Sequence, residues 1–516
     1  MKKVSILNHV IGPVMRGPSS SHTAGPWRIA KTAVNLLGAA PERAVFSFDP
    51  SSSLAVCFRD QGSDLAFAAG LLGRPLTDGD FPQILTLAPN LGLDVEFKCA
   101  PFPGADHPNS SLLELSGGGR TITLHSRSTG GGSFVIASFN GVPVEITGES
   151  YIIVIEEPNS PEEIERILDG AGWKTSLKEK GGLKIIFGVS SAPPPGNLPA
   201  LIAEKAGGGA IFTSDPVMAP MPGEALFKNG EELASLARER GLTMGDAALA
   251  SEASLLGVSG DELTGEMGRR LDIMLQAVKK GLAGESAPMK LLRPFAGDLW
   301  ESLAKGKVFT GGPHARAAVR AMAALHECSS GGVVCAAPTG GAAGVLPGVM
   351  ATLAEDFGVK RDALIRALWA AGAVGCLHDL KSTFAAEVAG CQVEIGAAGA
   401  MAAAAVTEAA GGTVKQGCDA AATVFQNMMG SVCDLIQGVV EIPCHSRNGA
   451  LASQAFLCAD MVLAGYESPV SLDETIDAVD SVGRMMPEEL RCTSRGGIAL
   501  CPSARAMPRL DRIAGK

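Results

Sequence analysis

Apolar and polar positions follow two different rhythms along this chain. Up to about residue 190 the apolar residues fall in short runs separated by glycine-containing turns, and beyond residue 223 they recur at helical spacing. The runs 44–48 (AVFSF) and 121–124 (TITL) predict strands, and Ala24–Leu37, after GPSSSHT, predicts a helix. Residues 150–190 predict a compact unit. It has a strand at Tyr151–Glu156, a helix opening at Pro161 with Ser160 as its cap and acids in its first turn, then strands near 173–177 and 183–189. SSAPPPGNLP and SDPVMAPMPG make the next stretch rich in Pro and Gly, which predicts a linker carrying one short helix at 198–205. Then GEELASLARERG, MGDAALASEASLLG, DELTGEMGRRLDIMLQAVKKGLAG and RDALIRALWAAGAVG all read as helices, with Gly-Gly pairs at 331–332, 340–341 and 411–412 between Ala-rich segments. The expected architecture is multidomain. An α+β domain spans 1–149, a small βαββ unit 150–192, a Pro/Gly-rich linker 193–223, and an all-α domain 224–516 whose central helices are buried on every side. No short-period repeat is present.

Composition narrows the function. The chain has 516 residues, 46% hydrophobic and 19% charged, which is globular rather than disordered. A net charge of −11 argues against nucleic acid or an anionic membrane as partner. The apolar start MKKVSILNHVIGPVM is interrupted by Asn8, His9, Gly12 and Pro13, so it does not read as a signal peptide. The uncharged run 328–354 is broken by glycines and prolines, so it does not read as a membrane span. The expected location is the cytoplasm. Aromatics are scarce at 5% while Gly (64) and Ala abound, so helices can approach closely around a buried site, and a homodimer is expected. Of the 12 cysteines, only Cys57 and Cys99 precede residue 300, and such clustering favours metal or redox chemistry over a disulfide scaffold.

Three of these cysteines, Cys391, Cys433 and Cys444, sit in glycine- or proline-punctuated runs: AGCQVEIG, GSVCDLIQG and VEIPCHSRNG. They are far apart in sequence, unlike the close spacing of electron-transfer ferredoxins. Three thiolates on a four-iron cluster would leave one iron open as a Lewis acid. The same residues could instead be small core side chains, or Cys444 and His445 could serve zinc. The run SGGVVCAAPTGGAAGVLPG, with Thr339 at its centre, can bring backbone N–H groups to an anion, or can simply permit a tight helix crossing. Arg447 and Asn448 follow the third cysteine, where an arginine can grip a carboxylate or stand as a surface charge. GPSSSHT places Ser19, Ser20, Ser21, His22 and Thr23 at a helix start, suited to a carboxylate or to plain N-capping. HPNSS (His107, Asn109) and SRSTGGGSF (Ser128, Gly130, Gly131) are further polar, glycine-rich clusters that alone would read as loops.

Taken together, these motifs resemble the bacterial iron–sulfur L-serine dehydratases over nearly the whole chain. GPSSSHTAGPWRIA, HPNSS and STGGGSF are similar to the family's β-type domain. SSGGVVCAAPTGGAAGVLPG, AGCQVEIGAAGAMAAAA, GSVCDLIQGVVEIPCHSRNGA and TSRGGIAL are similar to its α-type catalytic domain. The order implies the single-chain form. The resemblance implies an N-terminal domain like the allosteric substrate-binding domain of some phosphoglycerate dehydrogenases, and an ACT-like small unit. It also implies a 4Fe–4S cluster on Cys391, Cys433 and Cys444, and conversion of the amino acid L-serine to pyruvate and ammonia without pyridoxal phosphate. Ser21, His22 and Ser128 are the implied proton-transfer candidates. Some members carry a terminal cysteine that reaches the cluster, a part open here to Cys501 or Cys492. The chain departs from the family pattern at Ala342 and Ala343, where a cysteine is usual, and at Cys328, where asparagine is usual. The small unit lacks the Asp-x-Pro-Gly turn. Three other readings remain: the same elimination on L-threonine or L-cysteine, a non-catalytic iron–sulfur or amino-acid sensor, and a pyridoxal-phosphate enzyme. No basic helix-turn-helix candidate supports a sensor's output, and neither Lys290 nor Lys381 has a Schiff-base context.

Overall fold

The structure, a computed structural model, describes residues 2–510. It separates into two compact units, His22–Pro222 and a second made of Met1–Ser21 with Gly223–Lys516.

The first unit is built on two sheets. The larger has six strands in the order Asp94–Cys99, Arg43–Phe48, Ser110–Gly117, Arg120–Gly130, Ser133–Phe139, Val142–Ile146, with only the first pair parallel. Helix Ala24–Leu37 forms with the predicted bounds and ends at Gly38, whose φ of 68° supplies the left-handed cap. Phe46, Phe48, Phe67, Phe134 and Phe139 fill the core beneath it, and the Phe46 and Phe67 rings lie 4.2 Å apart. Close packing is set by Gly70 of helix Ser63–Leu71, since a Cβ there would stand 2.5 Å from the Trp27 carbonyl oxygen.

The smaller sheet corrects the expected linker. Residues 193–223 hold helix Leu198–Ala206 and strand Ile211–Ser214. They complete a βαββαβ unit with the strand order Ile211–Ser214, Tyr151–Glu156, Leu183–Ser190, Lys174–Lys180, so the small unit is whole rather than truncated at 192. Ile153 and Ile155 point at the two helices, against Ile164, Leu168 and Ile202. Ile152 and Val154 face the larger core, so the central strand is apolar on both faces. Ser160 stands at the N-cap of helix Pro161–Gly170 without the capping bond expected of it.

Among the described residues, the second unit is helical apart from one two-stranded ribbon, Val14–Arg16 with Val333–Cys335. Residues 1–21, expected in the N-terminal domain, belong here. Helix Ile395–Ala409 is its axis and is buried from Ile395 to Thr407. Around it lie Arg361–Lys381, Val414–Met428, Cys444–Leu463 and Val345–Glu355. Helix Arg361–Lys381 is long and apolar enough to cross a membrane, yet 83% of its apolar window is buried within the protein, as in a core helix. Its Gly372 and Gly375 receive Ile6 and Val10 directly, which explains the small-residue composition. That N-terminal turn is tied by Glu252, which accepts from Ser5 Oγ (2.6 Å) and from the N–H groups of Ile6 (2.9 Å) and Leu7 (3.0 Å).

Candidate active site

Three short segments bring the cysteines together in the helical unit. Cys391 opens a single 3₁₀ turn after Gly390, whose φ is +76°. Cys433 lies in extended chain bridged to Arg491. Cys444 is the first residue of helix Cys444–Leu463. All three are buried, and the thiols of Cys391 and Cys433 share a hydrogen bond. That bond and burial push the Cys391 thiol well above its usual range, and burial does the same to Cys444. For Cys433, the bond with Cys391 lowers it, but a bond with Cys492 together with burial raises it further. Such thiols become thiolates together only beside a cation, which is the behaviour of metal ligands. Among the described residues no three His, Cys, Asp or Glu side chains converge on the point that a single ion would occupy. A multi-iron cluster spreads its thiolates more widely, and the buried all-sulfur donor set fits one.

The surroundings hold the cysteines in place. Arg447 donates from Nη1 to Cys391 Sγ (3.5 Å) and the Val432 carbonyl (2.7 Å), and from Nη2 to Asp434 Oδ1 (3.0 Å). The carboxylate it grips is therefore Asp434. The other oxygen of Asp434 accepts from Ile498 N at 2.9 Å, which fastens the TSRGGIAL segment over Cys433. Asn448 accepts from Gly344 N (3.1 Å) and donates to the carbonyls of Gly341 and Cys444 (both 2.9 Å), locking the glycine run to the Cys444 helix. Thr339 Oγ1 accepts from Ala342 N at 3.2 Å and also bonds Glu394. Ser20 Oγ accepts from Gly340 N at 3.3 Å, and Cys328 donates to Gly340 O at 3.2 Å, so Pro18 and Ser20 lie against the glycine run. Cys501, expected as a fourth sulfur, is exposed at the cap of a short helix. The sulfur that meets Cys433 is Cys492.

The remaining candidates lie in the other unit, because the division falls between Ser21 and His22. His22 is buried, with Nε2 3.2 Å from Cys57 Sγ, and that thiol reaches the Ser53 carbonyl at 3.0 Å. Thr23 is buried at the cap position of helix Ala24–Leu37. Ser128 packs against Gly25, and its N–H donates to the Asn109 carbonyl at 3.2 Å. His107 organises a turn, accepting at Nδ1 from Asn109 N (3.1 Å). Gly130 and Gly131 have φ of 104° and 62°, where glycine is favoured.

Sequence reasoning passed over Glu394, which caps the central helix. It is half-buried, Thr339 bonds it, and a Cβ on Gly341 would overlap its Oε1. Burial and the nearby Glu387 charge push its carboxyl up to about 8, against the Thr339 bond. Asp434 and Cys57 were missed as well. Nothing in a VCFRD run marks Cys57, and Asp434 was overshadowed by its neighbour Cys433 in GSVCDLIQG.

Residues 234–499 match the family model described as "Serine dehydratase alpha chain". The chain is similar to the "Probable L-serine dehydratase, alpha chain" of Bacillus subtilis (strain 168), 37% identical over 55% of this chain and 95% of that protein. It is 34% identical to the "L-serine dehydratase, alpha chain" of Peptoniphilus asaccharolyticus over 53% of this chain and 94% of that one. It is 27% identical to "L-serine dehydratase 1" of Escherichia coli (strain K12) over 94% of this chain and 96% of that protein.

Proposed function

We infer the activity from one premise: this chain belongs to the serine dehydratase family. It deaminates L-serine, removing the α-proton and the β-hydroxyl as water to give aminoacrylate, which tautomerises and hydrolyses to pyruvate and ammonia. The single observation that best supports a cluster-dependent route is that Cys391, Cys433 and Cys444 are all buried, with Cys391 bonded to Cys433 and close enough to Cys444 to act on its thiol. When bound there, a 4Fe–4S cluster supplies Lewis acidity at an iron without a thiolate, strengthening the hydroxyl as a leaving group.

The chain's own residues position and move protons. Arg447 and Asp434 fix the Cys391 and Cys433 segments, and Asn448 fixes the glycine run beside Cys444. Ser19 and Ser20 are proposed for the substrate carboxylate. Ser21, His22 and Ser128 are the proposed proton-transfer groups. Of these, His22 holds Nε2 3.2 Å from Cys57 Sγ, a contact that orients the imidazole ring. The βαββαβ unit is proposed as ACT-like, and the rest of the first unit as an allosteric-substrate-binding-like domain. Twelve free cysteines suit a reducing compartment, and a homodimer completes the proposal.

The test is anaerobic purification, iron and sulfide analysis, a visible spectrum, and pyruvate or 2-oxobutyrate release from L-serine, L-threonine and L-cysteine. A brown protein that turns over L-serine is expected. A colourless, iron-free protein that still releases pyruvate would refute the cluster.

A further inference from the structure

We propose that Glu394 is the binding residue for the substrate's α-ammonium group. This rests on the amino-acid reading above and adds a residue to it. L-Serine brings a carboxylate, a hydroxyl and an ammonium to the site. An ammonium leaving water needs a hydrogen-bonding carboxyl, which the incoming cation draws into its ionised form, and a site built with one rejects analogues that lack the amine.

The carboxylates near the three cysteines are few. Asp434 is committed to Arg447 and to Ile498 N. Glu441 is committed to the N–H groups of Lys290, Leu291 and Leu292. Glu394 makes no ion pair among the described residues, and its side-chain bond is the single one from the neutral Thr339 hydroxyl. Glu394 lies close enough to act electrostatically on Cys391, Cys433 and Cys444, as it does on Cys328. Val393 and Ile395 beside it, and Thr339, Gly340 and Gly341 opposite, are all buried, while Glu394 itself is half-buried. Glu394 thus keeps partial exposure among buried neighbours, although burial dominates the environment of its carboxyl. Gly341 has no side chain where one would overlap Glu394 Oε1, so the loop leaves that oxygen room. Position in the chain contributes as well: Glu394 caps the axial helix Ile395–Ala409, so its backbone is held by the most buried element of the unit.

The test compares two unreactive ligands that differ only in the amine, L-alanine and propanoate. Both are titrated calorimetrically into the anaerobically prepared, cluster-loaded full chain. Wild type is expected to prefer L-alanine. Glu394→Gln should lose about tenfold or more of its L-alanine affinity, the usual size of a lost charged hydrogen bond, with propanoate affinity unchanged and the visible spectrum retained. Glu394→Asp keeps the charge and should keep part of the preference, so it decides the matter if the glutamine variant fails to hold iron. The same L-alanine-to-propanoate ratio in wild type and in a coloured variant overturns the proposal. So does equal binding of the two ligands by wild type. Turnover is not read, so a wild type that discriminates but makes no pyruvate from L-serine would sink the reaction while leaving the ammonium site standing.

Discussion

The backbone N–H of Cys492 donates to the carbonyl of Cys433 at 2.8 Å, and the thiols of the two residues share a hydrogen bond. Cys492 holds this place at a φ of 61°, a region in which a side chain costs about 1 kcal/mol. Two kinds of cysteine therefore meet here, one proposed as a ligand and one resting against it. Cys433→Ser is expected to abolish iron content, colour and turnover together. Cys492→Gly removes the thiol and relieves the backbone, so iron should be retained and thermal stability should not fall. Cys501→Ser and Cys418→Ser should leave all three readings unchanged. Iron and acid-labile sulfide per chain, measured on the four variants, check the assignment. Iron loss in Cys492→Gly would move that residue into the ligand set.

Asn448 ties three backbone groups to one side chain. Asn448→Ala leaves Gly344 N and the carbonyls of Gly341 and Cys444 without this partner in a buried place. Each unpaired buried group costs about 1–3 kcal/mol, so roughly 3 kcal/mol of stability should be lost, read from the denaturant midpoint at constant slope. Asn448→Asp keeps the acceptor for Gly344 N and loses both donors, so it should fall between alanine and wild type only if its carboxyl is protonated. A wild-type midpoint for Asn448→Ala would show that the glycine run holds itself.

Gly375 meets the N-terminal segment with no room for a methyl group. A Cβ there collides with Val10 Cγ1 and stands 3.2 Å from Met401 Sδ. Gly375→Ala gains helix propensity but overpacks the core, at about 1–3 kcal/mol. The expected result is a lower melting temperature and earlier proteolysis within residues 1–21. Gly411→Ala meets no neighbour within 4 Å but sits at a φ of 79°, so it should be milder, with a cost from backbone strain alone.

The legible and illegible parts of the molecule differ for physical reasons. Helix Ala24–Leu37 and strand Tyr151–Glu156 were readable because local periodicity and caps set their ends. Helix Leu198–Ala206 was readable as well, but strand Ile211–Ser214 was not. Its four residues sit among Pro and Gly, and only pairing with Tyr151–Glu156 makes them a strand. The place of residues 1–21 in the helical unit rests on Glu252 and on Gly372 and Gly375, contacts far away in sequence. In the site, the three cysteines stood out through their flanking motifs. Glu394 did not, since an acid before an Ala-rich helix looks like an ordinary cap.

His378 makes the acid limb of stability predictable. It is fully buried between the rings of Phe384 and Phe425, each 5.2 Å away, and Nε2 lies 3.0 Å from the Thr383 carbonyl. Burial lowers it from 6.5 to about 4, with the Thr383 bond and the charges of Asp379 and Asp480 opposing and Lys2 assisting. The unfolded chain thus binds a proton that the folded one refuses between those two values. This contribution is fully present above about pH 6.5 and is lost as pH falls toward 4, by roughly 3 kcal/mol across the window. His378→Gln does not titrate, so its stability should be lower at pH 7.5 but should decline less steeply between pH 6.5 and 4. Denaturant unfolding of both proteins at half-unit pH steps measures the two slopes. Parallel curves would mean that His378 takes up its proton without unfolding the helix around it.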